Sequence, residues 1–528
     1  MKGPCKFFSL GFFVFLALGF GTDEVSSYKI LMVFPSFSPS HLIVASGLLK
    51  GLAKKGHEVT MVSSYPQSKP VKNYRDVVLP LDKFDKDAIM ADMVKNAGQQ
   101  FQMITKMPEM MKMSYDIANE TMSNPEFRKI MEEESFDLVI LGIFANQFLA
   151  GLGYHFKCPV TVMSQVQAVY MTSELVGNPV SLASTSTVFL GYSGRMTFMQ
   201  RVKNIFAGVL EMLMTQLLLR PYDRMYYESN FPPDKYPSFD ESLRNVSLVL
   251  VNHHFSQGNL RPYVPAMVEI GGIHIEDETD PLPKDIQEFL DSATDGAVFF
   301  SFGSNLKSSI LPQHKLNAII KTFGRLKEKV LFKWENDDLP NKPDNMMIGK
   351  WLPQRDILAH KNIKLFVSHG GMGSIAEAKY RGVPLIGVPF FGDQMGNVAV
   401  VAEEGWVYQL NFDDLTEETF SEALKEVLTN PKYGDIARTR AQLYKDRPQS
   451  ALETANYWIE YVIRHKGAPH MQSHAVHLNF WQNNSIDVIA FLFAILLIFI
   501  KISILITKFV FRYLKNRLFP KHKKQKQL

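Results

Sequence analysis

Cysteine is nearly absent. The 528-residue chain has two, Cys5 and Cys158, and the first lies in an apolar leader, so a mature chain keeps one thiol, too few for an internal disulfide or a cysteine-based metal site. Neither the first strand-to-helix turn near the start of the chain nor the one that follows Ala297 to Phe302 carries GxGxxG, which counts against a nicotinamide or flavin enzyme. No GxSxG exists to supply the nucleophile elbow of a hydrolase. The body also lacks an excess of positive charge: of a formal total of +4, the residues from Lys508 onward contribute eight Lys/Arg and no acid, leaving the rest four negative. A nucleic-acid binder spreads its basic footprint over a folded face, so no nucleic-acid partner is expected. What is present, 46% hydrophobic and 21% charged residues, is the balance of packed globular domains, in a length that suits about three.

Both ends carry targeting signals. Lys2 and Lys6 precede an apolar run from Phe7 to Phe20, with small Gly19 and Gly21 at cleavage-compatible positions, which predicts a signal peptide over residues 1–21. Val488 to Thr507 is an apolar stretch of 20 residues, about 30 Å as a helix and enough to span a bilayer. Lys501 costs about 2.5–3.5 kcal/mol at a bilayer centre, but here it lies about 9 Å from the C-terminal end and can snorkel. The basic residues of 508–528 then predict a cytosolic tail and a single-pass type I topology, with residues 22–487 in the lumen. Lys524 and Lys526 resemble the dilysine retrieval signal of endoplasmic-reticulum membrane proteins; the plainer alternative is a solvated stop-transfer cluster. Asn119 and Asn245 head sequons open to glycosylation, and Asn483 heads a third, too near the membrane for modification.

Within the body, Ile30 to Phe34, a helical period ending at Gly56, and Val59 to Val62 read as a β-α-β unit, and Asp137 to Leu141 with Val160 to Val162 read as a second. Short apolar runs resume at Ala297 to Phe302 and recur at 330–334, 346–349, 365–368, 383–388 and 407–410, separated by helical patterns. Such units make parallel sheets covered on both faces. The expected class is α/β: two Rossmann-like domains, 22–265 and 266–465, joined by the Pro/Gly-rich stretch Arg261 to Pro283. A juxtamembrane segment, 466–487, and a transmembrane helix, 488–507, follow. Val202 to Leu219 reads as a helix resting on the core by default, with the acceptor or the bilayer surface as alternatives.

The densest chemical signal runs from Phe366 to Gln394, FVSHGGMGSIAEAKYRGVPLIGVPFFGDQ. A buried strand ends at Ser368, glycines at 370, 371 and 373 admit close backbone approach, and a helix opens at Ser374, where unpaired N–H groups and His369 make an anion site fit for a diphosphate. The alternative for Ser374 and Glu377 is a capping box. This stretch, together with Trp351-Leu-Pro-Gln354, Ser301-Phe-Gly-Ser304 and Lys466-Gly-Ala-Pro-His470, resembles the UDP-glucuronosyltransferase/UDP-glucosyltransferase family, in its membrane-bound, insect-like form. The resemblance covers nearly the whole chain. It implies the GT-B arrangement of two facing Rossmann-like domains. The N-terminal domain would bind a small hydrophobic acceptor. The C-terminal domain would bind UDP-glucose or UDP-glucuronic acid, a co-substrate, with no cofactor and no metal.

By the same resemblance Trp351 stacks on uracil, Gln354 contacts the nucleoside, and Ser304, His369, Gly371 and Ser374 face the diphosphate. Glu377 holds the ribose hydroxyls, and Asp393 and Gln394 hold the sugar. Lys379 stands where the family carries an apolar residue, and Arg261 either contacts the donor or makes a linker ion pair. The family also implies self-association in the membrane, as homo- or hetero-oligomers.

His41, sixteen residues before His57, matches the family's general base, which would take a proton from the acceptor hydroxyl in a single inverting displacement. The family pairs it with a carboxylate at a position that here is Gly142. A silenced protein that binds UDP-sugar or lipophile without turnover is therefore the competing expectation. Asp85-x-Asp87 matches the DxD triplet of metal-dependent transferases but follows no nucleotide-binding strand. His470, His474 and His477 share a helical face near the membrane, where solvation explains them better than a metal.

Overall fold

The computed structural model describes residues 27–519 except 96–99, 188–189, 193 and 259; the leader and the dilysine-like Lys524 and Lys526 lie outside the described residues. The apolar runs of the first half pair as parallel strands β1 (Lys29–Phe34), β2 (Glu58–Ser63), β3 (Tyr74–Val78), β4 (Leu138–Gly142), β5 (Val160–Ser164), β6 (Val246–Val251) and β7 (Met267–Glu269). Their order in the sheet is β3-β2-β1-β4-β5-β6-β7. Those of the second half are β8 (Ala297–Ser301), β9 (Lys329–Lys333), β10 (Met346–Gly349), β11 (Ile363–Ser368), β12 (Leu385–Gly387) and β13 (Val407–Gln409), in the order β10-β9-β8-β11-β12-β13. Every residue of β4, β5, β6 and β8 is buried, as continuous apolar strands between two helical layers must be. Chain order reverses between β1 and β4 in one sheet and between β8 and β11 in the other. At such reversals the carboxyl edge of an open sheet leaves a crevice.

The boundary between the two halves departs from the sequence reading. β7 pairs with β6 in the first sheet, so the N-terminal domain extends past 265; a three-residue strand inside a Pro/Gly-rich stretch leaves no periodic signal. The helix Ala451–Arg464 also belongs to the first domain's core. Ala455, Ile459 and Val462 are fully buried there, and His57 Nε2 meets Glu460 Oε1 at 3.0 Å. The chain stays in that core through Ala468 and Met471, so the segment expected to be juxtamembrane begins later, at Ser473.

The helix Phe198–Met214 corrects the core-packed default. Phe198, Met199, Val202, Ile205, Phe206, Val209, Leu210 and Leu213 are exposed, Phe206 at 74%. Its inward stripe is small and polar instead. Asn204 donates to Leu182 O and Thr185 O at 2.7 Å each and accepts from Thr187 N at 2.8 Å. Gly208 lies where a Cβ would collide with Leu182.

Residues from Ser473 on form a separate unit dominated by the helix Ile486–Leu518, whose most apolar window has a mean hydropathy of 3.0 and is long enough to cross a membrane. It extends past Thr507, so Lys508, Arg512, Lys515 and Arg517 continue the same helix.

Candidate active site

β11 delivers His369 to the carboxyl edge, and the chain turns through Gly370 and Gly371 into the helix Met372–Arg381, which ends at a left-handed Gly382 (φ 69°). Gly371 is the N-cap and no side chain caps the opening N–H groups. They are left free to bind a ligand. The helix thus begins two residues before Ser374, and the capping-box alternative does not occur. Ser374 and Glu377 lie inside the helix and face Gln354, whose Nε2 donates to Ser374 Oγ at 3.1 Å and to Glu377 Oε2 at 2.8 Å. The other Glu377 oxygen meets His274 Nε2 at 3.2 Å.

The His369 ring fits between two glycines: a Cβ on Gly303 (φ 85°) or on Gly371 would stand 2.6 Å from it. Burial, aided by Lys333, lowers its pKa to about 4. His369 is therefore neutral, and the charge at this turn belongs to Lys333 at the end of β9. That ammonium donates to Gly303 O, lies 3.7 Å from Glu335 and sits 5.9 Å from the Trp351 ring centroid. Burial lowers its pKa and Glu335 offsets part of the effect. Ser304 Oγ is buried with no partner, whereas Trp351 is 64% exposed and presents an open indole face.

Asp393 Oδ2 accepts from Asn397 Nδ2 at 2.6 Å, and Asn397 also reaches Gly370 O at 3.3 Å, tying the aspartate to the glycine turn. Desolvation raises the pKa of Asp393. Gln394 Oε1 accepts from Phe390 N and Phe391 N at 2.9 and 3.2 Å, which leaves its amide group as a donor.

Across from this turn, His41 sits one residue past Ser40 in the first turn of the helix Pro39–Lys54. Its ring lies parallel to Phe34 (7°, centroids 6.3 Å apart) and tilted on Phe144 (6.0 Å). Desolvation lowers its pKa to about 4, with no charged group opposing the shift. Its polar neighbour is Ser36, whose Oγ lies 3.4 Å from Nδ1 and also accepts from Ser38 N at 3.1 Å. At Gly142, where the resemblance implies an acid, a Cβ would stand 2.1 Å from the Phe34 ring. Phe34 occupies the space the carboxylate would need. The two carboxyl edges meet where Asn305 Nδ2, beside Ser304, donates to Ser38 Oγ at 2.8 Å.

Residues 29–524 match the family model described as "UDP-glucoronosyl and UDP-glucosyl transferase". The chain belongs to this UDP-glycosyltransferase family. It is 34% identical to the UDP-glycosyltransferase UGT5 of Dactylopius coccus, over 95% of this chain and 96% of that one. To the mouse (Mus musculus) UDP-glucuronosyltransferase 1A1 it is 31% identical, over 88% of each. Among solved structures, the spinosyn forosaminyltransferase SpnP (14% identity, TM-score 0.57, 83% of this chain and 100% of that one) and a Polygonum tinctorium UDP-glucosyltransferase (15%, 0.54, 83% and 99%) share the fold.

In this glycosyltransferase Arg261 makes no linker ion pair among the described residues. Its guanidinium donates to Ala168 O at 2.6 Å and Ser186 O at 3.3 Å, bracing loops of the first domain. Lys379 is fully buried, paired with Glu404 at 2.9 Å and donating to Ser256 O at 2.6 Å; the family's apolar position is replaced by an ion pair between two fixed partners. Asp85 Oδ1 accepts from Ala88 N and Asp87 pairs with Lys307 at 2.6 Å, so the DxD triplet serves a helix start and an ion pair. Of the sequon residues, Asn119 Oδ1 accepts from Asn230 at 2.9 Å and Asn245 Nδ2 donates to Cys158 O at 3.3 Å, while Asn483 is exposed. Among the described residues no group of three His, Cys, Asp or Glu is placed to hold a metal. Sequence reasoning missed Lys333 and His274. The first had a signal, a lysine ending a buried apolar strand; the second had none, since its role depends on contacts made across the linker.

Proposed function

We propose that this UDP-glycosyltransferase transfers glucose or glucuronic acid from a UDP-sugar to the hydroxyl of a small lipophilic acceptor, by a single inverting displacement with His41 as base. The observation that carries this reading is the Asn305–Ser38 hydrogen bond, which brings the start of the His41 helix beside the Ser304 and His369 turns. In the tautomer that carries the proton on Nδ1, facing Ser36 Oγ at 3.4 Å, Nε2 of His41 is the acceptor of the hydroxyl proton. The acceptor oxygen bonds to the anomeric carbon as the carbon–oxygen bond to UDP breaks, and the bonding pair leaves with the diphosphate. The free N–H groups of the Met372 helix, the unpartnered Ser304 hydroxyl and the Lys333 ammonium then meet that charge, His369 being neutral. Trp351 offers its exposed face to the base, Glu377 takes the ribose hydroxyls, and Asp393 with the Gln394 amide holds the sugar.

The body resides in the lumen of the endoplasmic reticulum, anchored by the 486–518 helix, where lipophilic acceptors partition into the adjacent bilayer. The outward apolar face of Phe198–Met214 favours contact with that surface. Membranes bearing the full chain, given UDP-glucose or UDP-glucuronic acid and a panel of phenols, should yield a conjugate by mass spectrometry. His41→Ala should reduce its rate by about 10²–10⁴-fold. UDP-sugar binding without any conjugate would instead favour the binding-protein reading that Gly142 motivates.

A further inference from the structure

His274 lies on the linker between the two sheets, just after the turn Gly271–Gly272–Ile273, and its side chain is buried against Glu377. Glu377 Oε1 meets His274 Nε2 at 3.2 Å while Oε2 accepts from Gln354. A carboxylate oxygen accepts, so the Nε2–H of His274 donates to it. Nδ1 is buried and meets no partner, which leaves the Glu377 contact as the one polar function of this ring. The backbone of the same residue is gripped from the opposite side. A Cβ on Gly47, in the His41 helix, would stand 2.8 Å from His274 Cα and 3.0 Å from Ile273 O.

Two residues on, Glu276 pairs with Lys54 at 3.2 Å, from the His41 helix, and with Arg355 at 3.5 Å, beside Gln354. Arg381 donates to Glu276 O at 2.8 Å. Segment 271–277 is therefore fastened both to the helix that starts with the base and to the helix that carries Glu377.

We propose that His274 is a positioning residue for the nucleotide: it donates to Glu377, fixes the carboxylate plane, and directs the remaining lone pairs at the vicinal hydroxyls of the donor ribose. This rests on the reading of Glu377 as the ribose ligand. A carboxylate offers about four lone-pair sites; His274 and Gln354 take one on each oxygen and leave one on each for a diol. Because the imidazole comes from the linker, ribose recognition is complete only while the linker is docked on the His41 helix.

The test is titration of the full-length protein with UDP and with 2′-deoxy-UDP, alongside donor KM and kcat, for wild type, His274→Ala, His274→Gln and His274→Phe. His274→Ala should weaken UDP about tenfold or more, as expected for losing a hydrogen bond to a charged group. Donor KM should rise by the same factor with kcat and acceptor KM little changed, and the preference for UDP over 2′-deoxy-UDP should shrink. Glutamine, which still presents an N–H, should recover most of the loss. Phenylalanine keeps the volume without the donor and should behave as alanine does, which covers failure of the alanine variant to fold. Unchanged UDP affinity, or equal weakening of both nucleotides, would overturn the proposal, provided Glu377→Ala abolishes the discrimination. If Glu377→Ala leaves the discrimination intact, the ribose reading of Glu377 itself fails.

Discussion

The His41 imidazole is walled by Phe34 and Phe144, and its polar neighbour is a serine hydroxyl rather than a carboxylate. Its pKa of about 4 fixes a pH signature. In its proposed role as base His41 is competent when neutral, so kcat/KM should fall on the acid side only as pH drops through about 4, where a solvent-exposed histidine would give a limb near 6.5. An acid limb at 6 to 7 in the pH–rate profile would contradict this environment. The same burial has a stability consequence. His41, His254 and His369, lowered to about 4, 3 and 4, bind protons in the unfolded chain near pH 6.5 but not in the fold until much lower. Their contribution is therefore present above pH 6.5 and lost as pH falls toward 4.

Gly142 belongs to the same scale. Restoring an acid by Gly142→Asp alone should raise no activity, and overpacking against Phe34 should cost about 1–3 kcal/mol in thermal unfolding. The pair Phe34→Ala with Gly142→Asp opens the space first. Only in that background is the carboxylate expected to bring the acid limb back up, and a rate gain from the single substitution would disprove the steric account.

The His41 helix is set in place by two glycines one turn apart, Gly47 against the linker backbone and Gly51 against Leu452, whose Cδ1 would lie 2.2 Å from an added Cβ. Gly51→Ala should destabilise by about 1–3 kcal/mol, and Leu452→Ala in that background should restore part of it. Additive losses in denaturant unfolding would refute this contact. Elements of this kind were partly legible beforehand. The interior strands were readable because burial on both faces makes them continuous apolar runs, as in Asp137 to Leu141. β3, Tyr-Arg-Asp-Val-Val at the sheet edge, has no such run, and β7 is three residues long. The return of 451–464 to the first domain is a contact between distant segments that no local period encodes. The glycine-rich turn and its neighbours are readable as a candidate site because the residue types carry the chemistry. Phe34 filling the place of an acid was not, since an aromatic at a strand end reads as core.

For the whole molecule, two parallel sheets present their reversal points to one another, and the groups proposed to react come from both. The helix Ile486–Leu518 belongs to a separate unit, so a chain ending before Val488 should keep donor binding and turnover of water-soluble phenols. It should lose rate toward poorly soluble ones assayed with lipid present; equal rates for both classes would remove the anchor from the account. In the proposed reaction an acceptor that His41 deprotonates displaces UDP in one step. The most direct test is the anomeric configuration of the purified conjugate by proton NMR, starting from the α-linked UDP-sugar. The predicted product is the β-linked conjugate, absent in His41→Ala; an α-linked product would contradict a single displacement and with it the role given to His41.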